Sequence, residues 1–299
     1  MLFDSYVMVD WSGANAPRTG KDSIWVAILS SRQNRLRLAH LKNLSTRCEA
    51  TLWLGNRLAA LANRGDRILT GFDFPFGFPD GTTQALELSG LPWRQMWQLL
   101  SDKIEDDQHN RNSRFDVAEY LNQRLTGEAF PFWGNVREED RRYLLRRGRR
   151  PHKPMDLAEQ RIVDQRAPGA QPVWKLAGVG SVGSQTLTGI PKVWALRRDP
   201  RLAFRTQIWP FETGLNYSAA GQIIFAEVYP SLFRSETPKR PFRQVSYYIS
   251  DKCSQWGLKR QQTYNHADME GLCFFFCHRM CKSSCSPRGQ GQPDRRVWG

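Results

Sequence analysis

The sequence predicts an α/β fold with a mixed sheet, in which a three-stranded meander is joined to parallel strands and a large, mainly helical insertion follows. Two observations predict the sheet. Three strand-like runs follow one another within residues 6–41, and a helical pattern then leads directly into a fourth apolar run. A third observation predicts the insertion, because residues 84–221 are too many for one connection between strands and contain helical spacing.

The first predicted strand ends in a carboxylate. Residues 6–9 are apolar, Asp10 follows, and the chain then breaks into Trp-Ser-Gly at residues 11–13. We expect a buried strand that delivers Asp10 to the rim of the sheet, where a loop gives a ligand access. Taken alone, Asp10 is equally well explained as a residue that caps the following turn with its side chain.

Periodicity predicts the next elements. Residues 23–29 form an apolar run, and residues 35–41 alternate basic and apolar side chains as a half-exposed strand does. From Thr46 the spacing becomes helical. The fourth strand occupies residues 67–72, and Pro and Gly residues stop it just beyond Asp73.

A third apolar run places another acid near a strand end. Residues 222–226 are followed by Glu227, so Asp10, Asp73 and Glu227 repeat one pattern. Carboxylate oxygens are ligands that Mg²⁺ and Mn²⁺ prefer. The three acids are therefore the candidate catalytic residues and the candidate ligands of one or two such ions.

The order strand, strand, strand, helix, strand, with acids after the first and fourth strands, is the opening of the ribonuclease H-like fold. Three segments resemble the signature blocks of an uncharacterised bacterial family of predicted ribonuclease H-like nucleases: Val-Asp-Trp-Ser-Gly at 9–13, Gly-Phe-Asp-Phe-Pro-Phe-Gly at 71–77 and Ala-Glu-Val-Tyr-Pro-Ser at 226–231. The resemblance covers roughly residues 6–272. It implies one domain over residues 1–272, with adjacent first and fourth strands and a metal-dependent phosphodiesterase activity.

The ribonuclease H pattern also includes an acid from the first helix and one from a terminal helix. Glu49 stands near the start of the first helix, and Glu212 follows an aromatic strand end within the insertion. Asp251 and Asp268 are both available for the terminal helix. The fourth acidic ligand is left open among these four residues.

Charge points to polyanionic partners. The formal net charge is +14, and arginines are dense near the middle of the chain. Four of them are candidates for binding phosphate groups: Arg146, Arg147, Arg149 and Arg150. Aromatic residues at 130–133 offer surfaces on which bases could stack. The alternative is that the arginines form a solvated helix face.

A Gly-rich segment follows within the insertion. Gly178, Gly180 and Gly183 match the letters of a dinucleotide-binding fingerprint, but no convincing strand precedes them. Gly189 and Pro191 argue against a long helix after them. We therefore predict either a mobile loop or a loop that cradles a ligand, from which Lys175 could reach a phosphate group.

Residues 273–299 differ in composition from the rest of the chain. Four cysteines recur there at every fourth residue, before a basic stretch rich in Gly and Pro: Cys273, Cys277, Cys281 and Cys285. One helix carrying thiols at this spacing could not surround a tetrahedral metal ion. We expect a tail outside the fold, disordered after about Cys285. The remaining cysteines, Cys48 and Cys253, are expected to be reduced thiols.

Composition narrows the function classes. The chain has 299 residues, of which 40% are hydrophobic, enough to bury a large core. No run approaches the ~18 apolar residues of a membrane span, and the N-terminus lacks the features of a secretory signal. A cytoplasmic protein is expected, with nucleic acid or a phosphorylated small molecule as partner and no membrane.

These patterns together predict a metal-dependent nuclease or related phosphohydrolase. The alternative is a non-catalytic module that binds nucleic acid or a partner protein, in which the acids are structural. A third hypothesis is a phosphotransferase, because actin-like sugar kinases also use a strand-borne Asp and Gly-rich phosphate loops. That fold needs two such domains, and the sequence indicates one. DNA, RNA, a nucleotide or another phosphoester all remain open as substrate.

Overall fold

The computed structural model describes residues 2–32, 35–136, 141–215 and 221–229. The strands are β1 Ser5–Asp10, β2 Ile24–Arg32, β3 Arg35–Leu44, β4 Ile68–Phe72, β5 Thr206–Trp209 and β6 Ile223–Glu227. The helices are α1 Arg47–Asn63, α2 Thr82–Ala85, α3 Pro92–Lys103, α4 Arg114–Thr126, α5 Ile162–Gln165 and α6 Gly183–Arg198.

The strands form one six-stranded mixed sheet in the order β3-β2-β1-β4-β6-β5. β1 and β2 pair antiparallel, as do β2 and β3, which confirms the predicted meander. β1, β4, β6 and β5 run parallel to one another. The expected adjacency of the first and fourth strands is also confirmed, with Val9 opposite Phe72. The protein is therefore an α/β fold with a mixed sheet.

β1 is buried along its whole length because both faces of the sheet are covered by apolar side chains. Val7, Val9 and Trp11 belong to the larger core, which also contains residues of α1, α3, α4 and α6. Tyr6 and Met8 point to the opposite face and belong to a second cluster. This explains why the strand reads as a continuous apolar run rather than as an alternation.

α1 begins as its sequence predicts. The Thr46 hydroxyl accepts a hydrogen bond from the Glu49 backbone amide at 3.2 Å, and the Glu49 carboxylate accepts one from the Ser45 amide at 2.9 Å. These contacts satisfy amides that have no partner within the helix. Ala50, Leu54 and Leu58 face the core. Glu49 therefore has a structural role at the start of α1.

The prediction that Gly189 and Pro191 would prevent a long helix was wrong. α6 runs for 16 residues through both positions, and most of its residues are buried. Gly189 packs against the ring of Phe74, where a Cβ would come within 2.6 and 2.7 Å of ring carbons. Tertiary packing thus compensates for two residues with poor helix propensity.

The segment between β4 and β6 contains five described helices and also β5, which pairs with β6 at the edge of the sheet. The predicted insertion therefore contributes one strand to the sheet besides its helices. Within the described ranges, no helix has the length and apolar character needed to cross a bilayer.

Several sequence predictions lie outside the described residues. They concern Asp251, Asp268, Cys253 and the tail over residues 273–299. The remaining cysteine, Cys48, is an exposed free thiol on α1, as expected.

Candidate functional site

The three predicted acids lie at one end of the sheet, where the parallel strands β1, β4 and β6 have their carboxyl ends. We call this end of the three strands the rim. Val9 of β1 is opposite Phe72 of β4, and Phe72 is in turn opposite Glu227 of β6. Asp10 and Asp73 each follow one of the paired residues Val9 and Phe72 directly. Since the three strands are parallel and adjacent, their carboxyl ends deliver all three acids to neighbouring positions on one rim.

Backbone hydrogen bonds tie the ends of β1 and β4 together. The Trp11 amide donates to Asp73 Oδ1 at 2.8 Å, and the Asp73 amide donates to the Val9 carbonyl at 3.3 Å. Asp10 is buried, with 5% of its surface exposed, whereas Asp73 is half-buried. The Asp73 carboxylate is thereby held against the first residues of the loop that follows Asp10.

Glu227 is engaged by a buried arginine. Arg161 donates through Nη1 to Glu227 Oε2 at 2.8 Å and through Nη2 to Oε1 at 2.7 Å. The Phe76 amide also donates to Oε2, at 3.0 Å. Arg161 binds Asp164 as well, through Nε at 2.9 Å and Nη2 at 2.7 Å. One guanidinium thus bridges two carboxylates beneath the rim.

The charge state of Arg161 is strongly fixed. Burial by itself would lower the pKa of Arg161, but the negative charges and hydrogen bonds of Glu227 and Asp164 raise it above its ordinary value. The cation is therefore permanent. Two carboxylates thus surround one guanidinium next to Asp73.

A narrow cleft opens at this rim. Its lining includes Asp73, Arg161, Glu227, Gln171 and Val182, and its volume is about 30 Å³. This is room for about two water molecules. The buried Asp10 lies outside the lining.

The donor set at the rim fits a divalent cation only in part. Asp10 and Asp73 supply the hard oxygen atoms that Mg²⁺ and Mn²⁺ prefer. Glu227 already accepts three hydrogen bonds from described residues, and a carboxylate has about four lone-pair positions, so with respect to those residues one position on Oε1 remains. Across the described ranges, no group of three or more His, Cys, Asp or Glu side chains is arranged to hold a metal ion.

A second buried arginine holds the loop after β1. Arg47 Nη1 donates to the carbonyl oxygens of Ser12 at 3.1 Å and Ala14 at 2.7 Å. Its Nε and Nη2 bind Asp106 at 2.8 and 2.6 Å. This arginine is fully buried at the start of α1. It connects the loop beside Asp10 to two other parts of the chain.

α6 begins against the same loop. Gln185 Nε2 donates to the Trp11 carbonyl at 2.7 Å, and Arg114 Nε donates to Ser184 Oγ at 2.8 Å. Gly13 lies so close to Ser184 that a Cβ at residue 13 would be 2.9 Å from the Ser184 Cβ. Glycine at position 13 is therefore explained by the close approach of α6.

Sequence reasoning missed three arginines that support the rim: Arg47, Arg114 and Arg161. Each has at least one partner that is distant in sequence, and Arg161 and Glu227 are 66 residues apart. Buried arginines are uncommon unless they are paired. All three have polar neighbours in the sequence, so no local pattern indicated that they would be buried.

The predicted basic cluster divides into two parts. Arg149 forms an ion pair with Glu159. Arg150 binds Glu128 and Asp156, each at 2.6 Å, and lies 3.8 Å from the centre of the Phe130 ring. Arg146 and Arg147 are exposed, and neither forms an ion pair with an acid among the described residues, which exclude 137–140.

Lys175 is separate from this cluster in sequence and stands just before the Gly-rich segment. Its Nζ donates to the Val179 carbonyl at 2.6 Å and to Gln171 Oε1 at 3.2 Å. Nζ is also 5.8 Å from the centre of the Trp133 ring. Lys175 thus fastens the loop that precedes α6.

The candidates for a fourth acidic ligand have other partners where they are described. The Glu49 carboxylate accepts hydrogen bonds from Ser45 at the start of α1. Glu212 binds Arg197 through two contacts of 2.9 Å and accepts a hydrogen bond from the Ile208 amide at 2.8 Å. Both carboxylates stabilise local structure.

The comparisons with known proteins were negative. No match to a family model, to a curated protein or to a solved structure was found for this chain. The chemistry of the rim itself is therefore what indicates a function.

Proposed function

We propose that the protein is a metal-dependent hydrolase of phosphodiester bonds, a nuclease or a related phosphohydrolase, with its active site at the rim formed by β1, β4 and β6. The observation that carries the proposal is the register of these strands, which puts Asp10 and Asp73 after directly paired residues of adjacent parallel strands. The antiparallel meander beside these strands also agrees with the expected ribonuclease H-like fold.

Asp10 and Asp73 would hold the cation. Glu227 is paired with Arg161, but its remaining Oε1 position can serve as a third oxygen ligand of the cation. A bound Mg²⁺ or Mn²⁺ supplies an activated water and stabilises the leaving oxygen of a phosphoester. The protein's own part is to fix the Asp73 carboxylate through the Trp11 amide and to hold the loop after Asp10 through Arg47.

The alternative function, a binding module without catalysis, depends on the basic run near residue 150. Two of its four predicted arginines, Arg149 and Arg150, already have carboxylate partners. Charges that are paired in this way contribute less to phosphate binding. The arrangement therefore favours the rim over the basic run as the functional centre.

The test compares wild type with Asp10→Asn and Asp73→Asn. Each change keeps the shape but removes a negative charge and a strong oxygen ligand, so metal-dependent cleavage should fall by about a hundredfold or more. Cleavage of single- and double-stranded DNA and RNA and of a simple phosphodiester is measured with Mg²⁺ and with Mn²⁺. Cation binding is measured by calorimetry.

Glu212→Gln is the matched control, because it removes one carboxylate whose partner is Arg197 and leaves Asp10 and Asp73 in place. It should retain both cation binding and cleavage. Absence of metal-dependent turnover in the wild type on every substrate would refute the proposal that the protein is a hydrolase. If all variants then still bound polyanions, the alternative function as a binding module would be supported.

A further inference from the structure

Lys175, just before the Gly-rich segment, differs from the nearby arginines in the groups that it contacts. Both acceptors of Lys175 Nζ, the Val179 carbonyl and Gln171 Oε1, are neutral oxygens. Within the part of the chain that the structure describes, no carboxylate lies in ion-pair distance of Lys175. In contrast, Arg149 and Arg150 have acidic partners. Among the described residues, Lys175 therefore has no carboxylate partner that competes with another anion.

Gln171 connects this lysine to the acidic cleft. It lines the cleft together with Asp73 and Glu227, and its Oε1 accepts the hydrogen bond from Lys175. The ammonium group is thus separated from the cleft by a single side chain. A phosphate oxygen that replaced Gln171 Oε1 would give this hydrogen bond a charged acceptor as well as a charged donor and would therefore strengthen it.

The backbone around Lys175 leaves space for a ligand. Gly178 and Gly180 have φ values of +93° and +71°, and Val179 between them is 96% exposed. Glycine at these positions permits both the conformation and a close approach of a ligand to the main chain. The Trp133 ring lies beside Lys175, and Arg149 Cζ is 6.0 Å from the centre of that ring.

The size of the cleft limits the ligand. With a volume of about 30 Å³ and walls from α5 and the start of α6, it admits a small group. A duplex is stiff and wide, so its phosphates cannot follow the narrow opening of this cleft. A single strand is flexible and can bend into it.

We propose that Lys175 binds a phosphate group of a flexible ligand, a single-stranded polynucleotide or a mononucleotide, next to the acidic cleft. The inference rests on the proposed function for the role of the cleft, but phosphate binding by Lys175 does not require turnover. Gln171 acts as the exchangeable partner that occupies Lys175 when no phosphate is present.

The test measures binding without added metal, so that cleavage plays no part. The probes are a short fluorescein-labelled oligothymidylate, the same strand annealed to oligodeoxyadenylate, and thymidine 5′-monophosphate. Lys175→Met keeps the aliphatic chain beside Trp133 and removes the charge. Lys175→Arg keeps the charge. Lys42→Met, which removes an exposed charge from β3, is the matched control. Thermal unfolding verifies that each variant is folded.

We expect Lys175→Met to weaken binding of the single strand, the mononucleotide or both by about tenfold. For the single strand, the slope of log affinity against log salt should fall by about 0.7. Lys175→Arg and Lys42→Met should bind like wild type, and the duplex should bind more weakly than the single strand. The probe that loses affinity identifies whether the phosphate comes from a polymer or a free nucleotide.

Unchanged affinity of Lys175→Met for both phosphate probes would overturn the proposal, as would an equal loss in Lys42→Met or duplex binding as tight as single-strand binding. A wild type that lacks metal-dependent turnover but shows Lys175-dependent binding would refute the hydrolase and leave this inference standing. The two failures are therefore distinguishable.

Discussion

At the scale of single residues, the rim depends on how a few charges are paired. Arg161 has 4% of its side chain exposed and serves Glu227 and Asp164, whose side chains are 11% and 6% exposed. The desolvation cost of such a cluster is recovered only while all partners are present. Arg161 is therefore a support for the rim rather than a residue that is available to a substrate.

Replacing Arg161 tests this role. Arg161→Met should lower the free energy of unfolding by about 3–5 kcal/mol, because two buried carboxylates lose their common partner. Arg197→Met is the comparison, since it breaks the more exposed pair with Glu212, and it should cost about 1 kcal/mol or less. Urea denaturation at neutral pH measures both. Equal losses in the two variants would contradict the assigned role of Arg161.

At the scale of secondary structure, the sequence predicted those elements whose signals lie in consecutive residues of the chain. β1 and β4 were predicted from apolar runs, and α1 from the helical spacing that begins at Thr46. The acids at the strand ends were predicted for the same reason. α6 was not, because the cost of Gly189 is local whereas its compensation comes from Phe74, far away in the chain.

The order of the sheet shows the same limit. β6 lies between β4 and β5 although β5 precedes it in sequence, so chain order does not give strand order. The pair between Arg161 and Glu227 has no local signature either, because it joins α5's N-cap to the end of β6. Such contacts are determined by tertiary packing rather than by local sequence.

Gly189→Ala tests the packing of α6 on the rim. Overpacking of a core costs about 1–3 kcal/mol, and the gain in helix propensity is about 1 kcal/mol. Since Phe74 is only 1% exposed and cannot move away freely, we expect a net loss of stability of about 1–2 kcal/mol. Chemical denaturation provides the measurement.

Gly55→Ala in α1 is the control for that change. The nearest atom to a Cβ at residue 55 is Arg201 Nη2 at 3.2 Å, the end of a flexible side chain that is 49% exposed. This variant should be neutral or more stable by up to about 1 kcal/mol. A Gly189→Ala protein as stable as the control would show that the contact between α6 and Phe74 is loose.

At the scale of the whole molecule, the excess positive charge is not equivalent to a continuous binding surface. The net charge is +14, yet Arg149 and Arg150 form ion pairs with described acids, whereas Arg146 and Arg147 are exposed to solvent. Arg150 shows this best. The hydrogen bonds of Asp156 and Glu128 raise the pKa of Arg150 even though burial opposes the shift. Its positive charge is used to fasten residues 128 and 156 to each other.

The two parts of the basic run should therefore respond differently to mutation. Arg150→Ala removes the contacts with Glu128, Asp156 and the Phe130 ring, so its melting temperature should fall by several degrees. Arg146→Ala removes an exposed side chain and should leave the melting temperature nearly unchanged.

Thermal unfolding followed by circular dichroism measures both melting temperatures, at low salt and at 1 M salt, where the Debye length is about 3 Å. High salt should reduce the difference between the variants only in part, because the stacking of Arg150 on Phe130 is a short-range contact. Equal melting temperatures for the two variants at low salt would mean that the ion pairs of Arg150 contribute nothing, and the whole basic run would then be available for polyanions.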